Sequence, residues 1–106
     1  MPRKPFELIY DREVLGHLQA IERKHHADIR GAIEKRLSYE PMTESRNRKP
    51  LSRPSALGDA WELRCGADNR FRVFYRTDTG AHEVRVLAIG EKRGNRFCVG
   101  SKEFDL

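Results

Sequence analysis

The chain has 106 residues, with 21 Lys and Arg against 16 Asp and Glu, a formal charge of +5, and 38% hydrophobic residues. This length suits one domain, residues 1–106, with a core too thin to enclose a large cofactor. No apolar run approaches the roughly 18–20 residues of a membrane span, Met1 to Phe6 leads into Glu7 without a signal-peptide core, and two cysteines make no disulfide scaffold, so a soluble, cytoplasmic protein is expected.

Phe6 to Tyr10 is a short aromatic and aliphatic run that predicts a strand. Asp11 stands where a helix N-cap belongs. Val14, Leu15, Leu18 and Ile21 then form one stripe of an amphipathic helix over about 12–24, with His17 expected on the opposite, exposed side. Ile29, Ala32, Ile33 and Leu37 form a second stripe over about 28–39. Pro41 cannot continue a helix and pushes Glu40 out of the helical region.

Residues 41–60 hold Pro41, Pro50 and Pro54 among small polar side chains and read as irregular chain, pinned by Leu51 and Leu57. Trp61–Cys65 and Phe71–Arg76 alternate as strands do, and Glu83–Ile89 is apolar enough for a central strand. Turn residues at 66–69 and 78–80 join them into an antiparallel meander. Phe97, Cys98 and Val99 fit a short last strand. The pattern predicts an α+β fold, a two-helix hairpin packed on a small, mainly antiparallel sheet whose other face is partly open.

Charge is unevenly spread. Residues 1–40 carry eight basic and seven acidic side chains, whereas residues 46–96 carry twelve basic and six acidic. A basic surplus of this kind favours a polyanion such as nucleic acid. The chain has no glycine-rich phosphate loop, no paired Cys-x-x-Cys and no His-Glu-x-x-His, so no metal or cofactor is expected. His25 and His26 are adjacent and cannot share a helical face. Arg64, Arg72 and Arg76 fall on strands, with Lys92, Arg93 and Arg96 just past the long one, so that all could meet around one concavity. If Leu63 and Val73 face the helices, Arg64 and Arg72 face the open side. Cys65 and Cys98 read as small buried hydrophobes.

The segments Lys49-Pro50-Leu51, Leu57 to Arg64, Phe71 to Arg76, and Val84 to Gly90 followed by Lys92-Arg93 resemble the RelE/ParE superfamily of type II toxin–antitoxin toxins. The resemblance spans about Phe6 to Phe97 and is closer to the RelE and HigB side. It implies a RelE-like fold, cleavage of translated mRNA in the ribosomal A site, and a cognate antitoxin partner. DNA would be reached only through that antitoxin. ParE-type members instead inhibit DNA gyrase, and a non-catalytic inhibitor of such a protein target is the alternative.

By resemblance, Arg72 matches the family's strand arginine, Arg93 the arginine after the last long strand, and Arg64 the basic residue of the preceding strand. Lys92 stands beside Arg93 in the same catalytic group. Arg46, Arg48, Lys49 and Arg53 in the loop, with Arg76 and Arg96, would contact RNA. Phe97 stands where RelE has a catalytic tyrosine, and would stack on a base.

Cleavage without a metal needs a base for the 2′-hydroxyl, an acid for the leaving 5′-oxygen, and cations for the phosphorane. Arginine suits the last role because its planar fork grips phosphate, but it does not give up its proton. Glu62, Glu91, Lys92, Tyr75 and His82 are the candidates to move protons.

Overall fold

The computed structural model describes residues 4–51 and 59–104. β1 (Glu7–Tyr10) is followed by two helices, α1 (Val14–Gln19) and α2 (His26–Leu37), with a 3-10 turn at Arg23–His25 running into the second. Then come β2 (Arg48–Pro50), β3 (Trp61–Cys65), β4 (Phe71–Asp78), β5 (Glu83–Arg93), β6 (Arg96–Val99) and β7 (Lys102–Phe104). β2 to β7 lie side by side in chain order, each antiparallel to the next, and β1 runs parallel to β5. The architecture is the expected α+β arrangement. Among the described residues no helix is long and apolar enough to cross a membrane.

α2 follows its sequence closely. Ile29, Ile33 and Leu37 recur every four residues, and all three are buried. Asp28 in its first turn and Lys35 and Arg36 in its last suit the helix dipole. α1 is shorter than the apolar stripe suggests, only six residues, with Gly16 in its middle. Its N-cap is Glu13 and not Asp11, whose side chain instead accepts the Arg12 amide at 2.8 Å.

Val14 and Ile21 face the sheet, while Leu15 is 67% exposed. His17 turns inward, contrary to the expectation of an exposed side chain, because it completes the same helical face three residues after Val14. The inward residues of both helices join Leu63, Val73, Tyr75, Val84, Val86 and Ile89 in one core cluster. Tyr75 closes this core at the loop side, its hydroxyl donating to the Pro41 carbonyl at 2.5 Å, and burial pushes its pKa upward.

β5 is the strand with the most partners. β4 takes one edge; on the other, β1 pairs with its first half and β6 with its last four residues. Tyr75 lies opposite Val86 and Phe74 opposite Ala88, so Leu87 is an extra residue in β5. This bulge restores the parity, so that Val84, Val86 and then Ile89 all point to the helices. Between its β1 and β6 partners the edge of β5 has a gap. There the Ile89 amide donates to His17 Nδ1 at 3.3 Å, and the Asp11 amide donates to the Val86 carbonyl at 2.8 Å.

Two strands have no counterpart in the sequence expectation. β2 lies inside the segment read as irregular and is held by pairing with β3. Arg48-Lys49-Pro50 has no hydrophobic alternation, and Pro50 is tolerated on an edge strand. β7 pairs with β6 at the far edge. Leu57 and Arg53 lie outside the described residues.

The His17 contact gives the fold a pH dependence. Burial lowers the His17 pKa below 6.5, against a smaller upward pull from Glu13 and Asp11. The unfolded chain therefore binds the proton first, and stability is full above about 6.5 and falls as pH drops through the lowered folded value. Urea midpoints should decline between pH 7.5 and 5.5, and His17→Gln should show a smaller decline. An identical decline in both chains would show that His17 does not report this contact.

Candidate functional site

Strand parity builds a polar surface on the sheet face away from the helices. Leu63 and Val73 are fully buried against the core, so their neighbours Glu62, Arg64, Arg72 and Phe74 project to the other side. The strand register then sets two rows across the sheet. Lys49, Glu62, Phe74 and Ala88 stand opposite one another in the first, and Arg64, Arg72 and Gly90 in the second. Lys92 and Phe97 form a third pair one step further along β5 and β6.

Glu62 is the centre of this surface. It is only 5% exposed. Its Oε1 accepts from Arg64 Nε at 2.9 Å and lies 3.4 Å from Arg72 Nε, an ion-pair contact too poorly aligned to be a hydrogen bond. One carboxylate thus anchors two guanidinium groups on this face of the sheet.

Arg72 is held from below as well. Its guanidinium lies 5.2 Å from the centre of the Phe97 ring, and Phe74 meets that ring edge-on at 5.9 Å. The Phe97 ring itself lies over Gly90. A Cβ at position 90 would collide with it and stand 3.0 Å from the Cys98 carbonyl oxygen. Glycine here makes room for an aromatic ring from the next strand, which covers the exposed backbone. Phe97 is 3% exposed, so its ring is a platform for Arg72 and has no face open to a stacked base. The expectation of base stacking is corrected on that ground.

The other candidates divide. Lys92 stands on the open face with Arg72. Arg93, one residue on, has the opposite parity. Its Nη2 donates to the Ala20 carbonyl at 2.6 Å and its Nε to Glu91 at 3.0 Å, so it does not join Arg72 around one concavity. Arg96 pairs with Arg93 in register and forms an exposed ion pair with Glu103 at 3.0 Å. Arg76 is exposed and stands opposite Arg85.

Arg46 and Lys49 are exposed, and Lys49 is opposite Glu62. Arg48 is not available to RNA in the way expected. It pairs with Leu63 on the core side, is 9% exposed, and donates from Nη1 to the Arg36 and Glu40 carbonyls at 2.7 and 2.9 Å. It caps the C-terminus of α2, where carbonyls lack intrahelical donors and the dipole favours a cation. Arg53 lies outside the described residues.

The proton-moving candidates separate by place in the same way. Tyr75 is buried in the core on Pro41. His82, at φ +57°, stacks on Phe6 at 3.8 Å and contacts the Lys4 carbonyl through Nε2 at 2.8 Å, where it fastens the start of β1. Glu91 lies on the helix side. Glu62 and Lys92 alone, of the five, share the open face with Arg72. Burial pushes the Cys65 thiol up to about 11, which keeps it protonated and unreactive. Arg70, which the sequence did not single out, is bound to Glu91 at 2.7 Å. Its position in a turn gave no periodic signal.

No protein-family model and no curated protein matches this chain. Among solved structures, the crystal structure of the RelBE2 toxin–antitoxin complex from Mycobacterium tuberculosis is similar over 86% of this chain and 95% of that one, with a TM-score of 0.69 and 23% sequence identity. The likeness establishes a RelE-like fold for the chain.

Three substitutions test how the site is held. Arg48→Ala should lose on the order of 1.5–3 kcal/mol of stability, the range for hydrogen bonds to a charged group, whereas Lys49→Ala should stay near the parent. Gly90→Ala should cost about 1–3 kcal/mol through overpacking against Phe97. Urea unfolding measures all three, and a parental midpoint for Gly90→Ala would mean that the ring moves away without cost.

Proposed function

We propose that the chain is a single-domain toxin of a type II toxin–antitoxin pair, a ribosome-dependent endoribonuclease that cleaves translated mRNA without a metal. The observation that supports this most directly is the nearly buried Glu62 carboxylate flanked by Arg64 and Arg72, with Lys92 on the same open face. The RelE-like fold, seen in a protein solved as a toxin–antitoxin complex, agrees with it. The work takes place where ribosomes translate, in the cytoplasm.

In this reaction Glu62 takes the proton of the 2′-hydroxyl as the 2′-oxygen attacks the adjacent phosphorus. Arg72 and Arg64 hold the non-bridging oxygens through the charge build-up of the phosphorane. The bond from phosphorus to the 5′-oxygen breaks, and Lys92 supplies the proton to that oxygen. A 2′,3′-cyclic phosphate and a 5′-hydroxyl result. The clamp of Glu62 and the Phe97 ring sets Arg72 in place before RNA arrives, which is where preorganised donors gain their effect. Lys49 and Arg46 add backbone attraction at the rim.

An antitoxin fits the opposite side. Between β1, α1 and α2 lies a groove of about 800 Å³ lined by Tyr10, Leu15, Leu18, Ile29 and Ile33, with Arg30 and Glu34 at its edge. Leu15 and Tyr10 are 67% and 43% exposed there. The apolar face of an amphipathic antitoxin segment would cover them. The same groove favours the alternative of a ParE-like inhibitor of a protein such as DNA gyrase, since Phe97 brings no proton to the open face.

Single-turnover cleavage of mRNA on programmed ribosomes decides between them. Arg72→Ala should lower the rate on the order of 10²-fold or more, as loss of one preorganised donor does. Glu62→Gln should fall comparably while keeping its shape, and Phe97→Leu should lose less, because it acts only through Arg72. Parental cleavage by Arg72→Ala would refute the assigned site. Growth arrest with no cleavage by the parent would establish the inhibitor alternative.

A further inference from the structure

We infer that Arg70, Lys92 and Arg93 form a second phosphate-binding subsite, at the end of the sheet, for the single-stranded RNA proposed above as substrate. These residues, with Ala67, Asp68 and Gly94, line an open recess of about 500 Å³ where β4 begins and β5 ends. The inference rests on the nuclease reading only for the identity of the polyanion.

The recess is built around a second buried carboxylate. Glu91 is 3% exposed. Its Oε2 accepts from Arg70 Nε at 2.7 Å and contacts Nη2 at 2.6 Å, and its Oε1 accepts from Arg93 Nε at 3.0 Å. The Ala20 carbonyl fixes the far end of Arg93, and the Lys92 amide donates to the Arg70 carbonyl at 2.8 Å. These contacts engage two of the five N–H donors on each guanidinium.

The Arg70 and Arg93 side chains remain 41% and 50% exposed. Two anchored guanidinium forks lining one recess suit a phosphate better than a lone carboxylate, because each fork can grip two oxygens. Pairing with Glu91 explains where the arginines are anchored. It leaves the remaining N–H donors of both side chains unused, beside an open recess that Lys92 also lines.

The register places this group next to the first one. Arg72 stands opposite Gly90, and Phe71 opposite Glu91. The Arg72 and Glu91 rows are therefore adjacent along the strands, roughly 3.3 Å apart, with their side chains on opposite faces of the sheet, while the two carboxylates lie three β4 residues apart, on β3 and β5. An RNA strand bending over that end meets Arg72 and Lys92 with one phosphate and Arg70 and Arg93 with a neighbouring one. Lys92 stands between the two positions.

The test uses the purified full chain and a fluorescein-labelled RNA octamer with 2′-O-methyl riboses, which cannot be cleaved. Anisotropy across a salt series should show weaker binding for Arg70→Ala and Arg93→Ala, with the log–log salt slope falling by about 0.7 per lost contact. Lys35→Ala, at the end of α2, should match the parent. Because loss of Arg70 leaves Glu91 short of a partner, the arginine Nε–Hε NMR signals of the unmodified protein serve as a second measurement. The Arg70 and Arg93 signals should shift on adding the octamer. A shift with inorganic phosphate as well would place recognition in the phosphate group itself, and a shift with the octamer alone would place it in the RNA chain; either supports the subsite. Unchanged affinity and slope in both variants, or unshifted signals, would overturn it, as would Arg70-dependent binding of polyglutamate with RNA binding unaffected. Loss of ribosomal cleavage in Arg72→Ala bears on the nuclease reading alone.

Discussion

A carboxylate removed from water is costly unless cations replace its hydration, by several kcal/mol for each ion. This sheet buries two of them, one in mid-sheet and one towards the end of β5. Glu62 and Glu91 are 5% and 3% exposed, and each is flanked by two guanidinium groups. The arginines are thus immobilised by what the carboxylates require. Long side chains normally lose rotamer freedom when they meet a ligand; here much of that loss has occurred on folding. A basic surface whose arginines are already anchored is the outcome.

Strand parity decides which cation serves which purpose. Arg48 and Lys49 are adjacent in sequence, yet one caps α2 from the core side and the other stands on the open face. Lys92 and Arg93 split in the same way at the other end of the sheet. The Leu87 bulge makes this possible in β5, since without the extra residue either Val84 and Val86 or Ile89 would leave the core. A basic run in a strand is therefore two surfaces, and a neighbouring core residue is what assigns each cation to its side.

Much of the fold was legible in the residues. The four-residue spacing of Ile29, Ile33 and Leu37 and the alternation of Trp61–Cys65 and Phe71–Arg76 each marked the element that forms. The opposite parity of Leu63 and Arg64 correctly put Arg64 and Arg72 on the open face. What escaped notice was held by partners distant in sequence. β2 has no pattern of its own and exists because β3 pairs with it. His17 lay on the apolar face of α1 all along, three residues from Val14, but a histidine among aliphatics reads as surface until a backbone amide such as that of Ile89 needs an acceptor. The site was half visible. Glu62 and Lys92 were among the candidates for moving protons, whereas the anchoring of arginines by Glu62 and Glu91, and Arg70 itself, depend on cross-strand register that a single sequence does not display.

The parallel pairing of β1 with β5 has a bearing on how the chain comes into being. Leu8 lies opposite Val84 and Tyr10 opposite Val86. β1 thus has no partner until the residues of β5 have been made. Helix pairs and hairpins form from nearby residues, but this contact closes a loop spanning most of the chain, the kind of long-range closure that slows folding. During synthesis the helices would wait with their inner faces uncovered, and Glu62 and Arg72 would meet only after β4 had emerged. The polar surface of the open face is assembled only once β3, β4 and β5 have all emerged and paired.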